Sequence, residues 1–410
     1  MPEVARKNSA RAAPIVAVAV WAWAAAAPVR AADAPTTEVG IVPLVGGDSD
    51  NGIGFGALST VARLDPAARP YEWKVDAGAF ISFKVQDRTL VVPYLDAYFE
   101  VTIPQFLSDR LRLDVRPSFT RETTQRYFGL GNASPAPDPI VPARDQYARV
   151  HPSLRTRLRL LLAGQFFWEV GASYTENWLD IDPASTLAMQ MSAGTPVERD
   201  LLGTAEQHAV LLIDNSIQYD SRETEVSTYH GHFHQLKLRY SPRMGAHFPH
   251  AYTQLNLITR SYLVVAGPLL RLDVRGVIDV QLGDVPFYEM ARYEDTFAFG
   301  GGNGVRGVPG QRYYGRVKAF ANIELRSRLA RFQIGGKDYA LGSALFFDFG
   351  RLWADLASNP DLDGTGLGLK YGVGGGLRLQ QGETFVVRAD VAWSPDARPI
   401  GAYVAAGQAF

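Results

Sequence analysis

The chain has no cysteine among its 410 residues. That excludes a disulfide framework, a thiolate zinc site and a cysteine nucleophile, and it suits a protein that crosses an oxidising compartment. An excess of positive charge is also missing: 41 Lys+Arg stand against 42 Asp+Glu, so a nucleic-acid partner is not expected. No long apolar run occurs after the first thirty or so residues, so no helix is expected to cross a membrane. The Gly-x-Ser-x-Gly elbow, the His-Glu-x-x-His zinc signature, the phosphate-binding loop and the dinucleotide fingerprint are all absent. The reading is therefore a non-enzyme with no catalytic residues, no cofactor and no metal.

What is present begins with a leader. Arg6, Lys7 and Arg11 form a positive start, residues 12–27 are apolar, and Val29-Arg30-Ala31 offers small residues for cleavage. The expected organisation is a signal peptide over residues 1–31 and one domain over residues 32–410. Removing a leader with four basic residues against Glu3 takes the net charge from −1 to −4. Only residues 32–37 separate that leader from the first expected strand, so no soluble domain is expected before it.

Beyond the leader the sequence alternates. Arg149, His151, Ser153, Arg155, Arg157 and Arg159 occupy one parity, with Val150, Leu154 and Leu158 on the other. Residues 110–120, 270–282 and 384–394 repeat the pattern. Residues 317–328 do so too, with Phe320 as the one apolar residue among polar ones. Successive side chains on a strand point to opposite faces, so each segment has an apolar face and a charged face. A water-soluble sandwich also alternates, but its strands average about 5–6 residues. Many segments here reach the length a tilted strand needs to cross a bilayer. Because an open sheet edge in hydrocarbon leaves backbone groups unpaired, the sheet must close. The expected fold is all-β: a transmembrane antiparallel β-barrel of about sixteen strands. They begin near residues 38, 52, 71, 89, 110, 146, 166, 207, 230, 252, 268, 315, 339, 369, 383 and 402.

Connections alternate short and long, which places the short turns and both termini in the periplasm and the long loops outside. The longest, residues 283–314, is rich in glycine and centres on Val305-Arg306-Gly307. In the second strand after it stands Phe346-Phe347-Asp348-Phe349-Gly350, where parity turns Phe347 and Phe349 to lipid and Asp348 inward. If the loop folds back into the lumen, Arg306 can meet Asp348 in a bidentate pair. Losing one partner of such a pair costs on the order of 3–5 kcal/mol. Arg306 and Asp348 are thus read as a latch.

These motifs resemble those of the bacterial surface antigen superfamily, which contains outer-membrane assembly factors of the BamA and TamA types and two-partner secretion pores. Val305-Arg306-Gly307 matches its loop motif, with Val308 where an aromatic is usual, and Phe346, Asp348 and Gly350 match its strand motif. Residues 127–132, residues 220–223 and the closing Gly407-Gln408-Ala409-Phe410 are similar as well. The resemblance implies an integral protein of the bacterial outer membrane that aids insertion or passage of proteins or lipids. It implies surrounding outer-membrane lipid, and other outer-membrane proteins or a periplasmic accessory protein as partners of a monomer. The alternatives are a passive pore for small solutes and a structural surface antigen. Relatives that insert or secrete proteins carry periplasmic POTRA repeats, which this sequence is expected to lack.

Three other features are weighed beside the latch. The first strand carries Gly40 and Pro43 and the last ends in Gly407 and Phe410, so their join is expected to be the weakest in the barrel. In the resembled family such a seam can open toward lipid; a weak but static closure is the alternative. His230, His232 and His234 share one parity, but with Leu236, Leu238 and Tyr240, so they read as interface residues and not as a metal site. The lumen arginines, interleaved with Asp114, Asp273, Asp279, Glu324 and Asp390, read as a mutually paired lining or as a weakly anion-attracting pore.

Overall fold

The alternating segments form antiparallel strands in a computed structural model. It describes residues 35–410 apart from 49–50, 66–67, 87, 136–144, 205–206, 224–227, 268, 295–296, 336, 382–384 and 397–399. The expected leader over residues 1–31 lies outside the described residues. The strands of the first half are β1 (Thr36–Asp48), β2 (Gly52–Asp65), β3 (Ala68–Gln86), β4 (Thr89–Val91), β5 (Tyr94–Ile103), β6 (Leu111–Arg126), β7 (Gln146–Ala163) and β8 (Phe166–Ile181). The second half holds β9 (His208–Asp220), β10 (Gly231–Ser241), β11 (Tyr252–Ala266), β12 (Leu270–Gly283), β13 (Val317–Ile334), β14 (Lys337–Trp353), β15 (Lys370–Gln381), β16 (Phe385–Trp393) and β17 (Gly401–Ala406).

Apart from β4 and β5, each strand pairs antiparallel with its neighbour in sequence, and β17 returns to β1. Both β4 and β5 pair with β3 and together make one wall strand, interrupted at Val92-Pro93. The wall is therefore a closed sixteen-stranded barrel. Its strands are long where the sequence alternates longest: β7 and β13 each run 18 residues.

The burial pattern is the reverse of a water-soluble protein. Leu345 is 65% exposed and Val391 55%, while Asp279, Glu324 and Asp348 are 0% exposed. Hydrocarbon outside and a polar interior satisfy both faces at once. No described helix is long and apolar enough to cross a membrane, which says nothing against crossing by strands.

One rim carries short turns such as residues 164–165, and the other carries the long connections. The long-loop rim is capped by structure read only as loop from the sequence. Two short helices, α1 (Thr186–Ala193) and α2 (Pro196–Leu202), fill the connection between β8 and β9. Thr195 and Glu198 form a reciprocal capping box with Pro196 at the first turn, a signal that is visible in Thr-Pro-Val-Glu. Leu187, Leu201 and Leu202 pack with Tyr127, Tyr147 and Phe287 in an apolar cluster beneath this cap.

Candidate functional site

The connection between β12 and β13, residues 284–316, meets the inward side chains of β12–β17. Its hold is apolar first. Val305 and Val308 are both fully buried and cluster with Phe299, Tyr313 and Phe320. Phe320 is the residue that breaks the alternation of β13, and it points inward, 5% exposed, with Phe299 and Tyr293 edge-on to it. Val308, standing where the resembled motif has an aromatic, fills the same cluster. Around it, Asn322 donates to Gly304 O at 2.8 Å and Lys318 to Met290 O at 3.2 Å.

Arg306 lies at the centre. Its Nε donates to Asp348 Oδ2 at 2.7 Å, its Nη2 to Oδ1 at 2.9 Å and its backbone N–H to Oδ2 at 3.1 Å. The same guanidinium reaches Glu324, and Asp390 at 3.4 Å, and stacks 3.5 Å from the centre of the Phe346 ring. Arg306, Glu324 and Asp348 are each 0% exposed. Burial alone opposes the charged form of Arg306, but Glu324 and Asp348 more than offset it, and its pKa rises. The remaining carboxylate capacity is taken by Arg326, Arg378 and Arg388. Charges this deep are tolerable only because each carboxylate has several charge-assisted donors.

The strand motif can now be explained residue by residue. Phe346 supplies the stacking face, Asp348 the bidentate acceptor, and Gly350 the space: a Cβ there would come within 2.4 Å of Phe320 Cβ. Glycines that the sequence reading did not single out are equally important. On β15 three successive inward positions are Gly372, Gly374 and Gly376, and a Cβ on Gly372 would sit 1.7 Å from Arg306 O. Glycine at every second position of a strand is the signal that could have revealed a close backbone approach. Gly307 itself has φ +91 and lies against Ser394, where a side chain would be strained and crowded.

Other sequence echoes converge on the same loop. Gly131 N–H donates to Tyr314 O at 2.7 Å, and Tyr127 packs edge-on to Tyr314 with ring centres 4.9 Å apart. Arg312 donates to Ser134 Oγ at 2.7 Å. The 220–223 segment stays apart: Arg222 binds Asp220 at 2.9 Å within its own turn. His232 and His234 stack on each other with centres 6.0 Å apart, and among the described residues no cluster could hold a metal.

The loop also touches the barrel closure. Gly307 N–H donates to Tyr403 Oη at 3.0 Å. Tyr403 lies on β17 opposite Asp48, and this pair, with Gly47↔Val404, makes the β1–β17 join among the described residues. None of Gly40, Pro43, Gly407 or Phe410 is among the joined residues. Gly40 and Pro43 pair with Thr60 and Ala57 of β2 instead. At Gly407 (φ +85) the chain leaves the wall: Arg275 Nη1 donates to Ala409 O at 3.2 Å and lies 4.9 Å from the Phe410 ring centre. Phe410 is thereby withdrawn from the join to the inward face. Beside the short join is a cavity of about 280 Å³, lined by Pro43, Leu44, Val45 and Gly46 on one side and Val387, Val404 and Ala405 on the other.

This geometry is that of a known architecture. The Omp85 superfamily domain matches residues 95–410, well over half of the chain. The fold is similar to BamA from Haemophilus ducreyi lacking POTRA domains 1-3, at 12% identity and TM-score 0.58 over 91% of this chain and 70% of that one. It is also similar to CdiB from Escherichia coli, at 10% identity and TM-score 0.53 over 90% of this chain and 62% of that one. The chain thus spans less than two thirds of the CdiB chain. No curated protein matches it. The chain belongs to the Omp85 superfamily and is an outer-membrane β-barrel of that family.

Proposed function

We propose that this barrel aids the insertion or passage of other proteins or lipids at the outer membrane. In this reading the loop around Val305-Arg306-Gly307 plugs the lumen, and the β1–β17 seam thins or parts toward lipid. The observation that carries it is the join itself: among the described residues two pairs close a barrel whose other walls pair over many residues. Each backbone group left unpaired in hydrocarbon is costly, so a short join is the cheapest place to admit a strand from outside. The loop reaches that join through Gly307 and Tyr403, which lets the state of the plug bias the seam. Arg306 then acts as a structural latch and not as a catalyst. Working partners would be outer-membrane lipid and a client or periplasmic accessory protein, with the barrel itself a monomer exported by a cleaved leader. What speaks against a passive pore is the number of loop groups fastened to the inner wall.

The absence of cysteine makes a clean test available. Gly46→Cys with Ala405→Cys places thiols next in register beyond the join. The barrel is reconstituted in vesicles, and insertion of an urea-unfolded eight-stranded outer-membrane protein is followed by its heat-modifiable gel mobility. The expected result is faster insertion than in empty vesicles, lost on oxidation and restored by reductant. Insertion that is no faster than in empty vesicles, or that survives the oxidised lock, would overturn the reading.

A further inference from the structure

Apart from the Arg306 cluster, a second group of inward cations converges on an open space. Arg116, Arg149, Arg155, Arg157, Lys237 and Arg239 line one cavity of about 430 Å³, against three carboxylates, Asp96, Glu289 and Glu294. Some of these cations are engaged within the protein. Arg116 reaches Glu100 at 3.2 Å, Arg239 reaches Asp214 at 2.8 Å, and Nη2 of Arg149 lies 3.6 Å from Glu289 Oε1. Among the described residues, Arg157 and Lys237 have no ion-pair or hydrogen-bond partner. Asp96 accepts from the Thr120 hydroxyl at 2.7 Å.

Arg149 makes the excess specific. It is 3% exposed, its Nε and Nη2 both donate to Asn177 Oδ1 at 3.0 and 2.8 Å, and its guanidinium lies 3.7 Å from the Tyr288 ring centre. So held, it keeps a buried Nη1 with no acceptor. A buried charged donor without a partner is costly, and among the described residues nothing accepts from this Nη1. Hydroxyls of Ser153, Ser173 and Thr175 line the same space and add donors from neighbouring strands.

We propose that this chamber binds a phosphate monoester. Guanidinium forks match phosphate oxygens, and a tetrahedral group with three terminal oxygens can use donors arriving from several strands at once. The volume exceeds that of a bare anion and suits a small organic molecule bearing one. The loop closes one side through Glu289, Tyr293 and Phe297, so an occupant touches both the wall and the loop. The phosphate could belong to a free phosphorylated solute or to a lipid headgroup.

The test is calorimetric titration of the full barrel in detergent at low salt. Glucose 6-phosphate represents the solute source and dihexanoyl phosphatidic acid the lipid source, with glucose and acetate as controls. Expected is saturable binding of at least one phosphate probe, the tighter of the two identifying the source, and weakening on the order of tenfold in Arg157→Gln with Lys237→Gln. Neither residue is paired, so the variant should keep its heat-modifiable mobility; if it does not, Lys237→Gln alone is read for weakening. No saturable binding by the unmodified protein, equal binding of acetate, or unchanged affinity in the folded variant would each overturn the proposal.

Discussion

β13 and β14 pair continuously from Val317↔Trp353 to Ile334↔Lys337, broken only by one bulge, whereas among the described residues β1 and β17 meet at just Gly47↔Val404 and Asp48↔Tyr403. Both pairs of strands belong to the same closed wall and face the same lipid. They differ in what lies behind them. Behind β13 and β14 are Phe320, Phe346 and Asp348, all committed to the loop, so wall and loop brace each other. Behind the C-terminal part of β1, from Pro43 to Gly46, is the apolar-lined space beside the join. The barrel therefore concentrates its rigidity in one arc and leaves its closure to few backbone bonds, with Tyr403 lying in the join and also binding the loop.

The largest break in that contrast should come from Arg306→Ala. It leaves Asp348 and Glu324 without their central cation and should cost about 3–5 kcal/mol. Urea unfolding followed by gel mobility would show it, and an unchanged midpoint would mean the loop does not brace the arc. Next is Gly372→Ala, whose methyl would strike Arg306 O; overpacking of this kind costs about 1–3 kcal/mol. The matched control in the weak arc is Gly40→Ala, where a Cβ meets nothing within 4 Å and the change should stay within about 0.5 kcal/mol. Equal effects at the two glycines would erase the distinction between the arcs.

A smaller effect is expected for Tyr403→Phe, which removes the acceptor of Gly307 N–H at about 1 kcal/mol. Amide exchange should then quicken at Gly307 and along β17, with little change in β13. If exchange quickens along β13 as well, loop and seam are not separately tunable. The mildest test concerns the long-loop rim. Burial holds the His250 pKa below its usual value, only partly opposed by Asp284 at 3.3 Å, with Arg243 also lowering it. The folded state thus prefers the neutral ring, so stability is full above the unfolded value of about 6.5 and falls as pH drops below it. His250→Gln should flatten that acid limb in a melting series while leaving seam crosslinking unchanged.

Particular residues show what could be read in advance and what could not. The sixteen strand starts lie close to those expected, because a bilayer enforces period-two contrast on every crossing segment. The motif Phe346-x-Asp348-x-Gly350 was visible as residues, and so was Phe320 as an irregularity on a polar face. That Phe320 is the seat of the loop, and that Gly350 and Gly372 are the spaces it needs, depends on strands being side by side in register. The short helices α1 and α2 carry little signal beyond the helix start in Thr195-Pro196-Val197-Glu198, because segments of seven or eight residues are too short for a 3.6-residue period to stand out.

The closure illustrates the division most sharply. Proline and glycine in β1 mark a poor strand, and that much follows from composition. Which residues join β1 to β17, and that the chain turns inward at Gly407 so that Phe410 meets Arg275, is settled by contacts between opposite ends of the sequence. By itself the sequence determined the barrel, its strand count and the inward parity of its charges, because those follow from local periodicity set against lipid. Only the tertiary structure decided which charges pair, which remain open and where the wall is thin. Those depend on register and on one long loop, and a pattern of period two carries no information about either.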